Sequence, residues 1–129
     1  MKRDWDLLRK LLLEIESKQC VGDVTISEMA GYNYSVVTYH IDLLSQAGLI
    51  NASKISTAMS GDYNDLIFSI HGITFDGHEL LESIRDDDIW DRVKQEVARL
   101  GLSLTACTIK MGVDFVFQKF LVDAGVVRD

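Results

Sequence analysis

The chain has no proline and only two cysteines in 129 residues, and both scarcities narrow the possible structures. Without proline, the connections must turn through glycine and through Asn or Asp side chains. Cys20 and Cys107 lie outside any C-x-x-C or Cys/His cluster, so we expect reduced thiols and neither a metal site nor a cofactor. No apolar run approaches the roughly 18 residues of a membrane span, and no signal-type segment follows Met1. We therefore expect a cytoplasmic protein with no membrane partner.

Positive charge is nearly absent from the middle of the chain. Residues 19–84 contain one basic residue, Lys54, against eight acidic ones, whereas residues 1–18 and 85–129 are close to balance. This middle segment therefore accounts for the net charge of −7. Affinity for duplex DNA depends largely on Lys and Arg neutralising phosphates. Any DNA binding through this segment should therefore be weak and should depend little on salt.

The stretch Ser35–Ile50, S-V-V-T-Y-H-I-D-L-L-S-Q-A-G-L-I, predicts a helix followed by a strand. Ser35 is a candidate N-cap, and Gly48 suits the left-handed conformation that ends a helix. The residues that share the predicted buried face are Val37, Ile41, Leu44 and Ala47. This helix is the element around which the other predicted elements are arranged.

The segments on either side predict a helix-turn-helix and a wing. Asp4–Lys18 has a helical apolar stripe, and Ser27 is the candidate N-cap of a short helix that runs through Ala30. After the central helix, residues 51–57 and 66–70 predict two strands. The turn between them, with Asp62 and Asp65, forms the predicted wing tip.

A second set of helices follows the wing. Thr74 is a candidate cap for a helix that continues through Leu81. Three aspartates at 86–88 suggest a cation site or a helix cap, and we favour a cap by Asp87 or Asp88 because consecutive helical residues point about 100° apart. The capped helix would run over residues 89–100. Its predicted buried residues are Trp90, Val93 and Val97.

These motifs resemble two groups of proteins. Residues 35–50 are similar to the recognition helix of ArsR-type and MarR-type winged-helix regulators, S-x-V-S-x-H-L-x-x-L-x-x-A-G-L-I, and residues 73–81 to the L-T-x-x-G-x-x-L-L that follows their wing. The block G-H-E-L-L-E-S-I-R-D-D-x-x-W resembles an uncharacterised family of bacteriophages and prophages. The resemblance covers roughly residues 1–110 and implies a phage-borne winged-helix protein without an established activity, with no catalytic residues to carry over from the family. Its signature residues are Gly77, His78, Arg85, Asp86, Asp87 and Trp90.

The segment 103–124 predicts a helix, capped by Ser103, that is apolar on two sides. Such a helix must be buried on both sides, and a small domain covers one of them. A second copy of the chain is the simplest cover for the other side, with an intramolecular groove as the alternative. The predicted dimer-interface residues are Ile109, Val113, Phe117 and Phe120.

The sequence therefore predicts one α+β, mainly helical domain over residues 1–129. Its winged helix-turn-helix core would span residues 1–84, and residues 85–129 would be a C-terminal helical extension that forms a homodimer. No nucleophile elbow, P-loop, dinucleotide fingerprint or H-E-x-x-H is present, and His40, His71 and His78 have no ligand-like neighbours in the sequence. We therefore expect no enzyme.

Two functions remain open for this domain. The first is a DNA-binding transcriptional regulator of phage type. The second is a protein-binding module whose acidic face acts on a host or phage protein, as a DNA mimic would. The residues expected to face DNA or a protein partner are Ser35, Val36, Thr38, Tyr39, Asp42 and Lys54.

Overall fold

A computed structural model describes residues 2–18, 22–56 and 66–125. Five helices and two strands follow one another as α1 (Trp5–Lys18), α2 (Tyr34–Gln46), β1 (Ile50–Ser56), β2 (Leu66–Ile73), α3 (Phe75–Ile84), α4 (Asp87–Arg99) and α5 (Ala106–Asp123). β1 and β2 pair in an antiparallel two-stranded sheet. The predicted α+β, mainly helical class is confirmed, and the layout is winged-helix-like.

The chain divides into two units, Met1–Glu82 and Ser83–Asp129. The first unit holds α1, α2, the sheet and most of α3, and the second holds α4 and α5. The sequence predicts the corresponding division after residue 84.

Helix α1 begins at an aspartate cap and buries a broad apolar face. The Asp4 Oδ1 atom accepts hydrogen bonds from the backbone N–H of Asp6 at 2.9 Å and of Leu7 at 3.3 Å. The whole predicted stripe is buried, and α1 packs against α2 and β2. The stripe residues are Trp5, Leu8, Leu11, Leu12 and Ile15. The N-terminal helix is therefore part of the core of the first unit.

Helix α2 starts two residues earlier than predicted. Asn33, and not Ser35, occupies the N-cap position, although its side chain makes no capping hydrogen bond. At the other end Gly48 has a φ of +74°, the left-handed conformation expected there. Of the four residues predicted to be buried, Ala47 is exposed because it lies beyond the last helical turn. The other three, Val37, Ile41 and Leu44, are buried.

A third extended segment lies against β2. Val24 and Ile70 exchange two backbone hydrogen bonds, of 2.8 and 2.7 Å, although Val24 belongs to neither strand. Strand β2 is thus paired antiparallel with β1 on one side and, through Ile70, with Val24 on the other. The predicted wing tip, with Asp62 and Asp65, and Cys20 lie outside the described residues.

The predicted short helix from Ser27 through Ala30 is wrong. Val24 and Ile26 are buried while Thr25 and Ser27 are exposed, the alternation of an extended chain. Residues 29–32 then form a turn in which the Tyr32 N–H donates to the Met29 carbonyl at 3.1 Å. An extended segment and a turn therefore replace the first helix of the predicted helix-turn-helix.

Thr74 joins the end of α2 to the start of α3. Its Oγ1 donates to the Gly48 carbonyl at 2.6 Å and accepts from the Gly77 N–H at 3.1 Å, so it caps α3 as predicted. Its own N–H donates to the Leu49 carbonyl at 3.0 Å. A Cβ built on Gly77 would lie 2.1 Å from the Leu49 carbonyl oxygen, so only glycine fits there. The segments 35–50 and 73–81 therefore meet in one junction.

The second unit is a pair of packed helices, α4 and α5. Asp86 caps α4 by accepting from the Ile89 N–H at 3.1 Å. The aspartate run therefore caps the helix, at a position one residue before Asp87 and two before Asp88, the two predicted caps. Helix α5 is capped by Thr105 and not by Ser103. A Cβ built on Gly112 would lie 3.0 Å from Val93 Cγ1, which shows how closely the two helices approach. The predicted α4 stripe, Trp90, Val93 and Val97, is buried.

Candidate partner-binding surface

The six predicted binding residues do not share one surface. Lys54 on β1 is exposed, and three residues of α2 are half-buried: Ser35, Val36 and Tyr39. Thr38 and Asp42 are only 2% and 8% exposed. They lie one turn apart, each directly after a core residue, which places them on the inner side of α2. This corrects the predicted surface, because neither side chain is accessible to a partner.

Helix α2 is anchored through a buried histidine. His40 is fully buried, and its Nδ1 lies 2.8 Å from the Val36 carbonyl oxygen, which can only accept. Its Nε2 accepts the Asp4 backbone N–H at 2.9 Å, so the hydrogen bonds assign the neutral Nδ1–H tautomer. The Tyr39 ring packs edge-on against the imidazole, with centroids 5.4 Å apart. Gln46 is the first exposed residue of α2, which leaves a narrow surface for recognition.

The exposed charge of residues 22–82 is mainly acidic, whereas Lys10 and Lys18 are exposed on α1 of the same unit. Within residues 22–56 and 66–82, Lys54 is the only exposed Lys or Arg side chain, and its ammonium group lies 5.8 Å from the Phe68 ring centroid. The exposed carboxylates in the same ranges are Asp23, Glu28, Asp76, Glu79 and Glu82. A surface with this balance repels phosphates and attracts cationic groups.

The predicted dimer-interface residues are also divided. Ile109 and Val113 are 0% and 7% exposed, so they belong to the core of the second unit and are removed from the predicted interface. Phe117 is 44% exposed and Phe120 37% exposed, and the Arg92 guanidinium lies 4.8 Å from the centre of the Phe120 ring. Sequence periodicity found two apolar sides of α5 but could not tell which one packs on α4.

An exposed apolar cluster remains on the second unit. Seven of the nine large apolar side chains that are exposed among the described residues lie between positions 100 and 121. They are Leu100, Leu102, Met111, Phe115, Phe117, Phe120 and Leu121. Four of them, Leu100, Leu102, Met111 and Phe115, line an open groove of about 260 Å³ beside Gly112. The four groove residues share one exposed surface, and an exposed apolar surface of this kind is typical of an interaction site.

One group of polar side chains comes together without any motif in the sequence that predicts it. His71 on β2 lies between Ser53 and Asp23: Nε2 is 2.7 Å from Ser53 Oγ, and Nδ1 is 3.1 Å from Asp23 Oδ1. The three residues are far apart in the sequence, and no local motif connects them. Only the strand register could have indicated that Ser53 and His71 meet.

Other signature residues have structural explanations. Gly77 permits close approach of Leu49, Asp86 caps α4, and Trp90 is buried. The His78 side chain is exposed. Within residues 2–18, 22–56 and 66–125, no three His, Cys, Asp or Glu side chains are grouped as a metal site would require. No described helix is long and apolar enough to cross a membrane.

The fold and its surfaces define a mainly helical α+β protein with a winged-helix-like layout. The chain belongs to the family described as hypothetical protein (DUF2513), which matches residues 2–103. It is also similar to an uncharacterized protein of Haemophilus influenzae, with 34% identity over 122 residues, or 94% of this chain and 99% of the relative. No solved structure matches the chain. Membership of an uncharacterised family, predicted from the sequence, is confirmed.

Proposed function

We propose that the protein is a winged-helix interaction module that binds a basic surface of another protein, and that it is phage-borne, acting on a host or phage protein. The exposed charge of residues 22–82 carries this proposal: five carboxylates and one lysine are exposed in the described part of that range. The buried positions of Thr38 and Asp42 add support, because a recognition helix in the major groove needs such residues at base edges.

Charge reversal distinguishes this function from DNA binding by the sign of its effect. We expect Glu28→Lys and Glu79→Lys each to weaken binding to a basic protein partner by about two- to fivefold, as for exposed charge pairs. Lys54→Glu is the matched opposite change and should leave that binding equal or tighter. If DNA is the ligand, the two added lysines should strengthen binding and Lys54→Glu should weaken it, because lysines contact phosphates.

The partner itself is found by photo-cross-linking in host cells. A benzoylphenylalanine at Tyr39 reports proteins that contact α2, and nuclease treatment before capture removes proteins held through nucleic acid. Each captured protein is then purified and titrated against the three charge variants by fluorescence anisotropy. A captured protein whose affinity does not respond to any of these charge changes would contradict the proposal.

A second candidate function is a DNA-binding regulator like those of the ArsR and MarR type. The winged-helix-like layout favours it, in particular the pairing of Val24 with β2 and the exposed Lys54 on β1. Its test is titration of random duplex and of the upstream regions of the phage genome over a range of salt. Few phosphate contacts should give a shallow slope of log K against log salt, about −0.9 per contact.

Two further variants then separate phosphate contacts from sequence reading. Charge reversal at Lys54, Lys2 and Arg3 should remove most DNA affinity, whereas Tyr39→Ala should change sequence preference more than general affinity. Nanomolar binding to random duplex with a steep salt slope would refute the acidic-surface reasoning. Complete absence of binding at low salt would refute the regulator.

We also propose that a second copy of the chain covers the exposed side of α5. Met111, Phe115 and Val122 recur at coiled-coil spacing on that side, with Asp114 and Lys119 on opposite flanks of the stripe. These two exposed charges are five residues apart, the separation at which flanking residues of two parallel helices meet. Each Asp114 would therefore lie opposite the Lys119 of the other copy, which makes the surface complementary to itself.

The face used by the dimer is tested by two matched substitutions. Phe115→Glu should shift the protein from dimer to monomer in sedimentation equilibrium, whereas Phe117→Glu on the other side of α5 should not. The double charge swap, Asp114→Lys with Lys119→Asp, should restore the dimer that either single reversal weakens. A wild-type monomer at high concentration would refute the dimer, and sensitivity to Phe117→Glu alone would assign it to the opposite face.

A further inference from the structure

Three neighbouring extended segments bring Ser53, His71 and Asp23 together on one exposed side of the sheet. Ser53 lies on β1 and His71 on β2. Asp23 directly precedes Val24, which is hydrogen-bonded to the other edge of β2. The order of these segments therefore places the three side chains next to one another.

A β-bulge sets the direction of His71. Ile70 pairs with Ala52 and Gly72 pairs with Asn51, so His71 is an extra residue with no partner on β1. Bulges redirect side chains and are common beside active sites. Here the bulge lies between a buried Ile70 and a glycine, and the imidazole is turned outward between the other two side chains.

Each of the two hydrogen bonds of His71 has a defined donor and acceptor. The Asp23 carboxylate can only accept, so the Nδ1 of His71, 3.1 Å away, carries the proton. The Nε2 atom is then the acceptor for the Ser53 hydroxyl at 2.7 Å. A nucleophile, a general base and an orienting carboxylate are connected in this way in serine hydrolases.

We propose that Ser53 is a nucleophile activated by His71 and oriented through Asp23, and that it accepts acyl groups from activated esters. The Ser53 oxygen attacks the carbonyl carbon while its proton passes to His71 Nε2. The bond between the carbonyl carbon and the oxygen of the leaving group then breaks, and the leaving group departs as phenolate. The imidazolium of His71 releases its extra proton to solvent. Neutral His71 then takes a proton from a water molecule whose oxygen attacks the acyl carbonyl carbon, the bond from that carbon to Ser53 Oγ breaks, and His71 returns the proton to Oγ as the carboxylic acid leaves.

The openness of the array determines the substrate class. The His71 and Asp23 side chains are 42% and 61% exposed, so a substrate reaches them without any movement of the protein. Water reaches them as well, and its high dielectric weakens the stabilisation of a developing oxyanion. The array therefore suits aryl esters, whose phenolate leaves without a proton, and not amides or alkyl esters.

The test uses the purified full-length chain with p-nitrophenyl acetate, followed by nitrophenolate release and by peptide mass mapping. We expect acetyl-Ser53 and a burst of nitrophenolate. Ser53→Ala should abolish both, and His71→Asn should slow acylation by about 100-fold or more. Ser69→Ala is the matched control, since Ser69 pairs with Ser53 across the sheet, and it should react like the wild type.

Two further readouts separate catalysis from a structural role. Asp23→Asn should slow acylation of Ser53, and it should leave the urea unfolding midpoint unchanged. Acetyl groups on lysines but not on Ser53, or an unchanged burst in Ser53→Ala or His71→Asn, would overturn the proposal. Each result is independent of whether the protein binds DNA or a protein partner.

Discussion

Replacing Gly77 with alanine tests the junction between α2 and α3. Helix propensity by itself would favour alanine by about 1 kcal/mol inside a helix. The added Cβ, however, would lie 2.1 Å from the Leu49 carbonyl oxygen and 2.6 Å from Ile73 Cγ2. Carbon and oxygen normally approach to about 3.3 Å, so the Leu49 carbonyl would have to move by about 1 Å.

The cost of that movement can be estimated. Overpacking of a tight site costs about 1–3 kcal/mol. Displacement of the Leu49 carbonyl also weakens the hydrogen bond from the Thr74 N–H, worth about 1 kcal/mol. Against the gain in propensity, we expect Gly77→Ala to lower the free energy of unfolding by about 2 kcal/mol.

The assay follows the unfolding of the first unit separately. Trp5 is buried in α1 and Trp90 in α4, so Trp90→Phe leaves Trp5 as the fluorescent reporter of residues 1–82. Urea titrations in this background compare Gly77→Ala with Glu79→Ala, an exposed position of the same helix expected to change stability by less than about 0.5 kcal/mol. A midpoint for Gly77→Ala at or above that of the parent would refute the steric reasoning.

Three further substitutions test single contacts. His40→Ala should destabilise the first unit by about 3 kcal/mol, because it removes a fully buried ring and leaves the Asp4 N–H without its acceptor; a loss below about 1 kcal/mol in urea titrations would contradict this. Burial is the main cause, and the Asp4 carboxylate the second, of a pKa of Tyr32 raised above 10.0. The neutral phenol therefore stabilises the fold below pH 10, and this contribution is lost as the pH rises through the folded-state pKa. The midpoint should therefore fall less for Tyr32→Phe than for wild type between pH 9 and 11. Asp86→Ala should cost about 1 kcal/mol through loss of the bond from the Ile89 N–H, measured by Trp90 fluorescence in a Trp5→Phe background.

Local patterns determined most of the secondary structure. The apolar stripes of α1, α2 and α4 repeat every three to four residues, and such a pattern has one low-energy solution because it buries one face of a helix. Capping is equally local: Thr74 lies three residues before the N–H that it accepts, and Gly48 follows the last turn of α2. For the same reason, the errors at Ser35 and Ser103 each shift a helix start by two residues and leave the helix in place.

Tertiary structure decided which face of an element is covered and which distant side chains meet. The segment 27–30 has a capping residue and short helical spacing, yet the pairing of Val24 with β2 holds the chain extended. Both sides of α5 are apolar, and the close approach at Gly112 selects Ile109 and Val113 for the interior.

Contacts between distant strands depend on register, which is not a local property of the sequence. Ser53, His71 and Asp23 become neighbours only because β1 and β2 pair with a bulge at His71 and Val24 joins the far edge. A shift of one residue in that register would turn Ser53 to the other face of the sheet. The sequence alone therefore determined the five described helices to within about two residues at their starts, whereas the strand pairing created the serine–histidine–aspartate array.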